Sequence, residues 1–126
     1  MIIRQPVVVG FDGSPSSTRA LDHAADEAAR RGSALRIVYA LHDRDAASPI
    51  LNYSADRAHA RHPSLTLATV AAQGGVVQVL ARESENAALT VIGTRGLGWI
   101  ACRLLGAVGP RLARRVRGPL LVVGRN

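Results

Sequence analysis

Short apolar runs alternate with longer stretches of helical periodicity along the chain. The apolar runs predict five strands, at residues 6–12, 35–41, 65–71, 89–93 and 119–124. A first helix is predicted from Ser14 and Pro15 to Gly32, and others over residues 76–86 and 108–116. Ser48 and Pro49 predict the start of a short helix reaching Ala58, after a loop at 42–48. This alternation predicts an α/β fold with a parallel sheet, right-handed crossovers and helices on both faces.

The length and composition of the chain indicate a single domain with an aliphatic core. With 126 residues and no linker or repeat, residues 1–126 are expected to form a single domain. Hydrophobic residues make up 48% of the chain and aromatic residues only 3%, so an aliphatic core is expected. No apolar run approaches the roughly 20 residues of a membrane span, and no secretory leader pattern is present. Together with a single cysteine, Cys102, these features predict a cytoplasmic protein without a membrane segment.

The charge is strongly positive and comes from arginine alone. Sixteen arginines against nine acids give a net charge of +7. Because there is no lysine, a Walker A loop and Schiff-base chemistry are both excluded. The arginines are dispersed from Arg4 to Arg125 without interleaved aromatic residues, which argues against nucleic-acid binding. Arg111, Arg114 and Arg115 are interpreted either as an anion-binding face or as the solvated side of a helix.

Two loops that follow predicted strands carry the candidate chemistry. FDGSPSS, with Asp12, follows the first strand, and GTRGLG, with Gly93 and Gly96, follows the fourth. Glycine lets the main chain approach a ligand closely, and amides ahead of a helix bind phosphate. In an open parallel sheet the two loops meet at one ligand site if the first and fourth strands are neighbours. The alternative is structural, with a tight packing turn at the glycines and with Asp12 and Ser14 closing a turn and capping a helix.

Two long segments resemble the universal stress protein family over nearly the whole chain. They are VVVGFDGSPSSTRALDHAADEAARRGSALRIVYA and TVIGTRGLGWIACRLLGAVGPRLARRVRGPLLVVGR. In the ATP-binding branch of that family the signature is Gly, two residues, Gly, nine residues, Gly and then Ser or Thr, and Gly93, Gly96 and Gly106 keep both spacings. The resemblance implies an open five-stranded sheet in the order 3-2-1-4-5 and a homodimer joined through residues 119–124. It also implies an adenine nucleotide, ATP or AMP, between the first and fourth strand ends, where Mg²⁺ could accompany ATP.

The family's binding residues carry over by position. The resemblance implies contacts to ribose or adenine from Asp12, to adenine from the main chain of Ala40, and to the phosphates from Gly93, Gly96 and Gly106, with Val108 alongside. Arg95 would reach the phosphates or point into solvent.

The sequence departs from the signature after the last glycine. Ala107 stands where the ATP-binding pattern has Ser or Thr, and Gly109 occupies a second position that often carries a hydroxyl. Two phosphate donors are therefore missing, which predicts weaker ATP binding than in a relative that has both. The segment 42–64 is also shorter than is usual for the family.

The motifs favour binding over catalysis. There is no Ser-His-Asp order, no G-x-S-x-G elbow and no pair of carboxylates in either of the two candidate loops. His59 and His62 are three residues apart but lack a third metal ligand. The leading hypothesis is a non-enzymatic, dimeric stress-response protein that binds an adenine nucleotide and signals to a protein partner. The alternative is a dimeric interaction protein of the same fold that binds no nucleotide.

Overall fold

A computed structural model describes residues 4–41, 44–93 and 114–124. The elements in chain order are strand β1 (Val7–Gly10), helix α1 (Pro15–Arg31), β2 (Leu35–Leu41), α2 (Arg44–Arg61), β3 (Leu67–Gln73), α3 (Val76–Ser84), β4 (Leu89–Gly93) and β5 (Leu120–Val123). The five strands form a parallel sheet in the order β3-β2-β1-β4-β5. The predicted fold class and strand order are confirmed. Among the described residues, no helix is long and apolar enough to cross a membrane.

Each face of the sheet carries its own hydrophobic layer. On one face, Val7 and Val9 of β1 pack with the alanine-rich side of α1 and with residues of α2. On the other face, Val8 and Val38 pack with α3 through Val79 and Leu80. Alternate residues of each strand point to opposite faces, so a central strand covered on both sides must be apolar throughout. The helices on both faces bury β1 and β4 almost completely.

Helix α1 begins and ends where the sequence predicts. The Ser14 hydroxyl accepts a hydrogen bond from the Ser17 amide at 3.2 Å, and Pro15 follows as the first helical residue. At the other end, Gly32 adopts a left-handed conformation with φ of 66°, and its amide bonds back to the last turn. Both ends therefore use the caps that these residue types favour.

The predicted start of α2 is wrong. The helix begins at Arg44, within the predicted loop 42–48, and Pro49 lies inside it. Proline inside a helix removes a hydrogen bond to the preceding turn, which is why the sequence favours a start at Ser48. The buried positions explain the difference, because Ala47, Leu51, Ser54 and Ala58 form one helical stripe that starts before Pro49. Packing of this stripe stabilises the extra turn.

Other boundaries shift by a few residues. β3 spans Leu67–Gln73 instead of 65–71, because Leu65 closes a turn by donating its amide to the His62 carbonyl at 3.0 Å. Leu65 is buried two residues before β3 begins, so its apolar character reflects packing in the core and not strand structure. α3 stops at Ser84, two residues before the predicted end, where Ala87 donates to the Ser84 carbonyl at 3.1 Å.

Ion pairs join α1 to α2. Arg57 donates two hydrogen bonds to Asp22, at 2.8 and 2.9 Å, and Arg61 donates two to Asp26, at 2.7 and 2.9 Å. His62 adds a contact from Nε2 to Asp26 Oδ1 at 2.6 Å. The hydrogen bond from Arg61, more than that from His62, lowers the pKa of Asp26 to about 2. These contacts hold α2 across α1.

Candidate functional site

A pocket opens at the carboxyl ends of the three central strands. It has about 360 Å³ of empty space, part of it open to solvent. Its lining comes from the ends of β1, β2 and β4 and from the first turns of α3: Gly10, Phe11, Asp12, Val38, Tyr39, Ala40, Val76, Leu80, Ile92 and Gly93. The strand order reverses between β1 and β4, so the pocket lies at the switch point where open α/β sheets bind ligands.

Three of the predicted site residues line this pocket. They are Asp12 after β1, Ala40 in β2 and Gly93 at the end of β4. Five others, Arg95, Gly96, Gly106, Ala107 and Val108, lie outside the described residues, as does Gly109. The structure thus brings together one carboxylate, one strand backbone and one glycine, and their roles in binding stay predictions.

Asp12 is exposed and closes the turn between β1 and α1. Its Oδ1 accepts a hydrogen bond from the Ser14 amide at 2.9 Å, and its own amide donates to the Ser17 hydroxyl at 3.3 Å. This turn is the structural role that the sequence offers as the alternative for Asp12. The bond to Ser14 uses one carboxylate oxygen and leaves Oδ2 for a second donor at the pocket mouth.

Ala40 brings main-chain groups to the pocket. The Val38 carbonyl points toward β1 and accepts a hydrogen bond from the Phe11 amide at 2.9 Å. Main-chain groups alternate in direction along a strand, so the amide and carbonyl of Ala40 point to the same side as those of Val38. The pairing of β1 with β2 ends at Gly10 opposite Val38, which leaves Ala40 beyond the paired region.

Gly93 is required by packing, whatever else it contacts. A methyl group built on Gly93 would lie 2.4 Å from the carbonyl oxygen of Ser16 and 2.9 Å from the amide nitrogen of Ser17. The end of β4 therefore lies directly against the first turn of α1. This contact places the beginning of the glycine-rich loop next to the loop that contains Asp12.

Sequence reasoning does not identify the apolar walls of the pocket. Val38, Leu80 and Ile92 are almost fully buried, and Val76 is partly buried. In the sequence these residues have the spacing of ordinary core positions, so no signal separates a pocket wall from a core contact. Gly10 also lies close to this wall, because a methyl group on it would lie 3.2 Å from Leu80 Cδ1.

Helix α2 supports the pocket from its outer side. Tyr53 stacks on Phe11 with ring centroids 6.2 Å apart and planes 21° apart. The Tyr53 hydroxyl accepts a hydrogen bond from Arg57 at 3.3 Å, the same arginine that pairs with Asp22. Phe11 is thereby fixed between the pocket and the α1–α2 ion pairs.

The two histidines considered as metal ligands have other contacts. His62 Nε2 contacts Asp26, and His59 Nε2 lies 3.2 Å from the Leu65 carbonyl oxygen. Among residues 4–41, 44–93 and 114–124, no group of three or more metal-ligating side chains could hold an ion.

Comparison with known families identifies the fold. The model of the universal stress protein family matches residues 4–57 and 42–124, which together cover most of the chain. The chain belongs to the universal stress protein family. A curated relative, universal stress protein Rv2623 of Mycobacterium tuberculosis, is 34% identical over 131 residues and covers 93% of this chain. The match covers 44% of that relative, so the chain spans about half the length of the curated universal stress proteins it matches.

Solved structures more than 30% identical to this chain have the same architecture. A universal stress protein crystallised in complex with cAMP is 37% identical, superposes with a TM-score of 0.82 and covers 98% of both chains. Protein Rv1636 of Mycobacterium tuberculosis is 34% identical, with a TM-score of 0.67 over 100% of this chain and 99% of its own. In both comparisons the superposition covers at least 98% of each chain.

Proposed function

We propose that this universal stress protein binds an adenine nucleotide, ATP or AMP, in the pocket between the ends of β1, β2 and β4. The observation that carries the proposal is the meeting of apolar walls, the Ala40 backbone beyond the β1–β2 pairing and the Asp12 carboxylate at the switch point of the sheet. The bound nucleotide changes the surface offered to a protein partner in the cytoplasm during the stress response, and efficient turnover is not expected.

The lining matches the parts of an adenine nucleotide. Val38, Val76 and Leu80 offer apolar surface to a flat base, and the Ala40 main chain offers a donor and an acceptor to its polar edge. Asp12 Oδ2 is available to a ribose hydroxyl. Among the described lining residues Asp12 is the only carboxylate, so Mg²⁺ would depend mainly on phosphate oxygens and water.

The relatives support an adenine ligand. The 37% identical universal stress protein was crystallised with cAMP, and its structure superposes over nearly all of both chains. We therefore expect adenine recognition here, while the phosphates would meet the segment that begins at Gly93. The missing hydroxyls at Ala107 and Gly109 favour a weaker hold on the phosphates.

A matched pair of variants tests the pocket. Ala40 and Ala72 are paired in register on adjacent strands, on the same face of the sheet, but only Ala40 lines the pocket. Ala40→Leu should fill the space for the base and weaken ATP and AMP binding at least about tenfold, which corresponds to roughly 1.4 kcal/mol. Ala72→Leu should leave the affinity near that of the wild type.

Calorimetric titration with ATP, AMP and cAMP measures these affinities, and circular dichroism checks that each variant is folded. Mass spectrometry of what the purified wild-type protein releases on denaturation identifies a co-purified nucleotide. If the folded wild type binds none of the three and releases no nucleotide, the proposal is overturned. The chain is then better described as an interaction protein of the same fold.

We also propose that two copies pair through β5. This edge strand exposes 38% of Leu121 and 42% of Val122, and apolar strand edges tend to pair. The Thr90 amide donates to the Pro119 carbonyl at 3.0 Å, so the main-chain groups of Leu120 and Val122 point away from β4.

The oligomeric state in solution tests this pairing. Light scattering of the wild type should give a molecular mass of twice 13.3 kDa. Val122→Pro removes an outward amide and should give a folded monomer, whereas a monomeric wild type at micromolar concentration contradicts the proposal.

A further inference from the structure

The opposite edge of the sheet, β3, is also unpaired in the described part of the chain. β3 is seven residues long, whereas β5 has four. It pairs with β2 along its whole length, from Leu67 opposite Leu35 to Gln73 opposite Leu41. The outer edge of β3 is therefore a long and regular row of main-chain groups.

The hydrogen bonding shows which groups are available. The Leu35 amide donates to the Thr66 carbonyl at 2.8 Å, so Thr66, Ala68, Val70 and Ala72 direct their main-chain groups toward β2. The alternate residues direct theirs outward: Leu67, Thr69, Ala71 and Gln73. Each contributes one amide and one carbonyl to the open edge.

This edge lacks the features that usually protect one. Strand edges are commonly blocked by a charged side chain, a proline, a bulge or a short length. β3 reads LATVAAQ, with no charge and no proline, and its register with β2 is uninterrupted. Thr69, Ala71 and Gln73 are exposed, and their short or polar side chains leave the main chain accessible.

Arg82 reaches the carboxyl end of β3 and lines a cleft that contains two further arginines. A methyl group on Gly74 would lie 3.9 Å from Arg82 Nη2, so this guanidinium reaches the residue that follows the strand. Arg82, Arg115 and Arg117 line one cleft with Gln73, Gln78 and Glu85. Within the described residues these three arginines form no salt bridge, whereas Arg30, Arg31, Arg36, Arg57 and Arg61 all pair with carboxylates. With Glu85 as the one acid in its lining, the cleft carries a cationic surplus.

We infer that the outer edge of β3, together with the cleft lined by Arg82, Arg115 and Arg117, forms a docking site for another protein. The docked part is an extended segment with acidic side chains. The edge supplies main-chain hydrogen bonds by strand addition, and the arginines select carboxylates at the end nearest Gln73. The site is separate from the nucleotide pocket and does not depend on nucleotide binding.

Charge favours a foreign segment over a second copy of this chain. β3 itself contains no acidic residue, so the strand of a second copy offers no carboxylate to the arginines of the cleft. Pairing of β3 with β3 would also add a second cleft with three arginines and one glutamate to the same interface. An acidic segment gains from the same charges.

The probe is a set of fluorescein-labelled peptides of about nine residues, enough to span the strand. Each alternates threonine and valine and carries paired aspartates at its amino or carboxyl end, because strand addition can be parallel or antiparallel. Matched peptides carry lysines in place of the aspartates, and another has a central proline. Fluorescence anisotropy measures binding at low and high salt, and amide hydrogen exchange reports on Leu67, Thr69, Ala71 and Gln73.

We expect one acidic peptide to bind more tightly than its lysine match, to weaken at high salt and to protect the four outward amides. Thr69→Pro removes an outward amide without touching the β2 pairing and should weaken binding more than about tenfold. Arg82→Gln should weaken it by up to about fivefold, the upper end of the range for an exposed ion pair. The control Arg30→Gln changes the net charge equally but lies on α1 and should have no effect.

Three outcomes would overturn the inference. Equal binding of the aspartate and lysine peptides removes the role of the arginines. Unchanged binding by folded Thr69→Pro removes the role of the edge. If the wild type forms species larger than a dimer and Thr69→Pro abolishes them, the occupant is a second copy instead.

Discussion

Replacing Gly93 with alanine tests the contact that joins the two loops of the site. The added methyl group would lie 2.4 Å from the Ser16 carbonyl oxygen, whereas ordinary carbon–oxygen contacts lie at about 3.3–3.6 Å. The end of β4 and the first turn of α1 would have to separate by about 1 Å, and neither main-chain segment can rotate away as a side chain can. Overpacking of this kind costs about 1–3 kcal/mol, while alanine in a strand gains about 0.5–1 kcal/mol over glycine. Since a contact of 2.4 Å with main-chain atoms requires the upper end of that cost, we expect a net loss of about 2 kcal/mol.

Urea denaturation followed by circular dichroism measures this loss. With a slope of about 2 kcal/mol per molar urea, the midpoint should fall by about 1 M. Gly124→Ala is the matched control, since a methyl group there meets nothing within 4 Å, and its midpoint should stay near that of the wild type. If Gly93→Ala is as stable as Gly124→Ala, the close packing of β4 on α1 is wrong. Gly93 would then have to be explained by the ligand.

Two further predictions concern charge and phosphate binding. The depressed pKa of Asp26, about 2, means that its ion pairs stabilise the fold above the ordinary value of 3.8 and lose that effect as the pH falls toward 2. The side chain is 47% exposed, so the contribution should stay below about 1 kcal/mol. The gap in urea midpoint between wild type and Asp26→Asn should shrink from pH 6 to pH 2.5, and a constant gap contradicts this. Ala107→Ser should tighten ATP binding about ten- to a hundredfold by adding a hydroxyl donor to a charged phosphate, and Gly109→Ser less; equal calorimetric affinities of folded Ala107→Ser and wild type would refute it.

Local signals predict most of the described elements. Ser14 with Pro15 and Gly32 mark the ends of α1 because capping depends on residues within one turn. The run at 89–93 predicts β4 because a strand buried on both faces must be apolar throughout. The order of the strands depends on contacts between distant segments, and only the resemblance to a family supplies it.

The failures occur where packing overrides a local signal. Pro49 suggests a helix start, but the buried stripe through Ala47 and Leu51 extends α2 toward its amino end. The ion pairs of Asp22 with Arg57 and Asp26 with Arg61 span 35 residues, so they follow only from the packing of α2 on α1. For the site, loops at strand ends identify Asp12 and Gly93. Leu80 and Ile92 carry no such signal, since a pocket wall and a core contact demand the same residue types.

The packing of the two loops suits the proposed nucleotide site. Gly93 lets β4 lie against the main chain of Ser16 and Ser17. The Ser17 hydroxyl accepts a hydrogen bond from the Asp12 amide at 3.3 Å. The same short chain of contacts therefore fixes the turn after β1 and the start of the loop after β4. The proposed nucleotide, in touching both loops, would meet groups whose positions are already set, so little conformational entropy would be lost on binding. The packing role of Gly93 and the turn-closing role of Asp12 are thus what a nucleotide site at this edge requires.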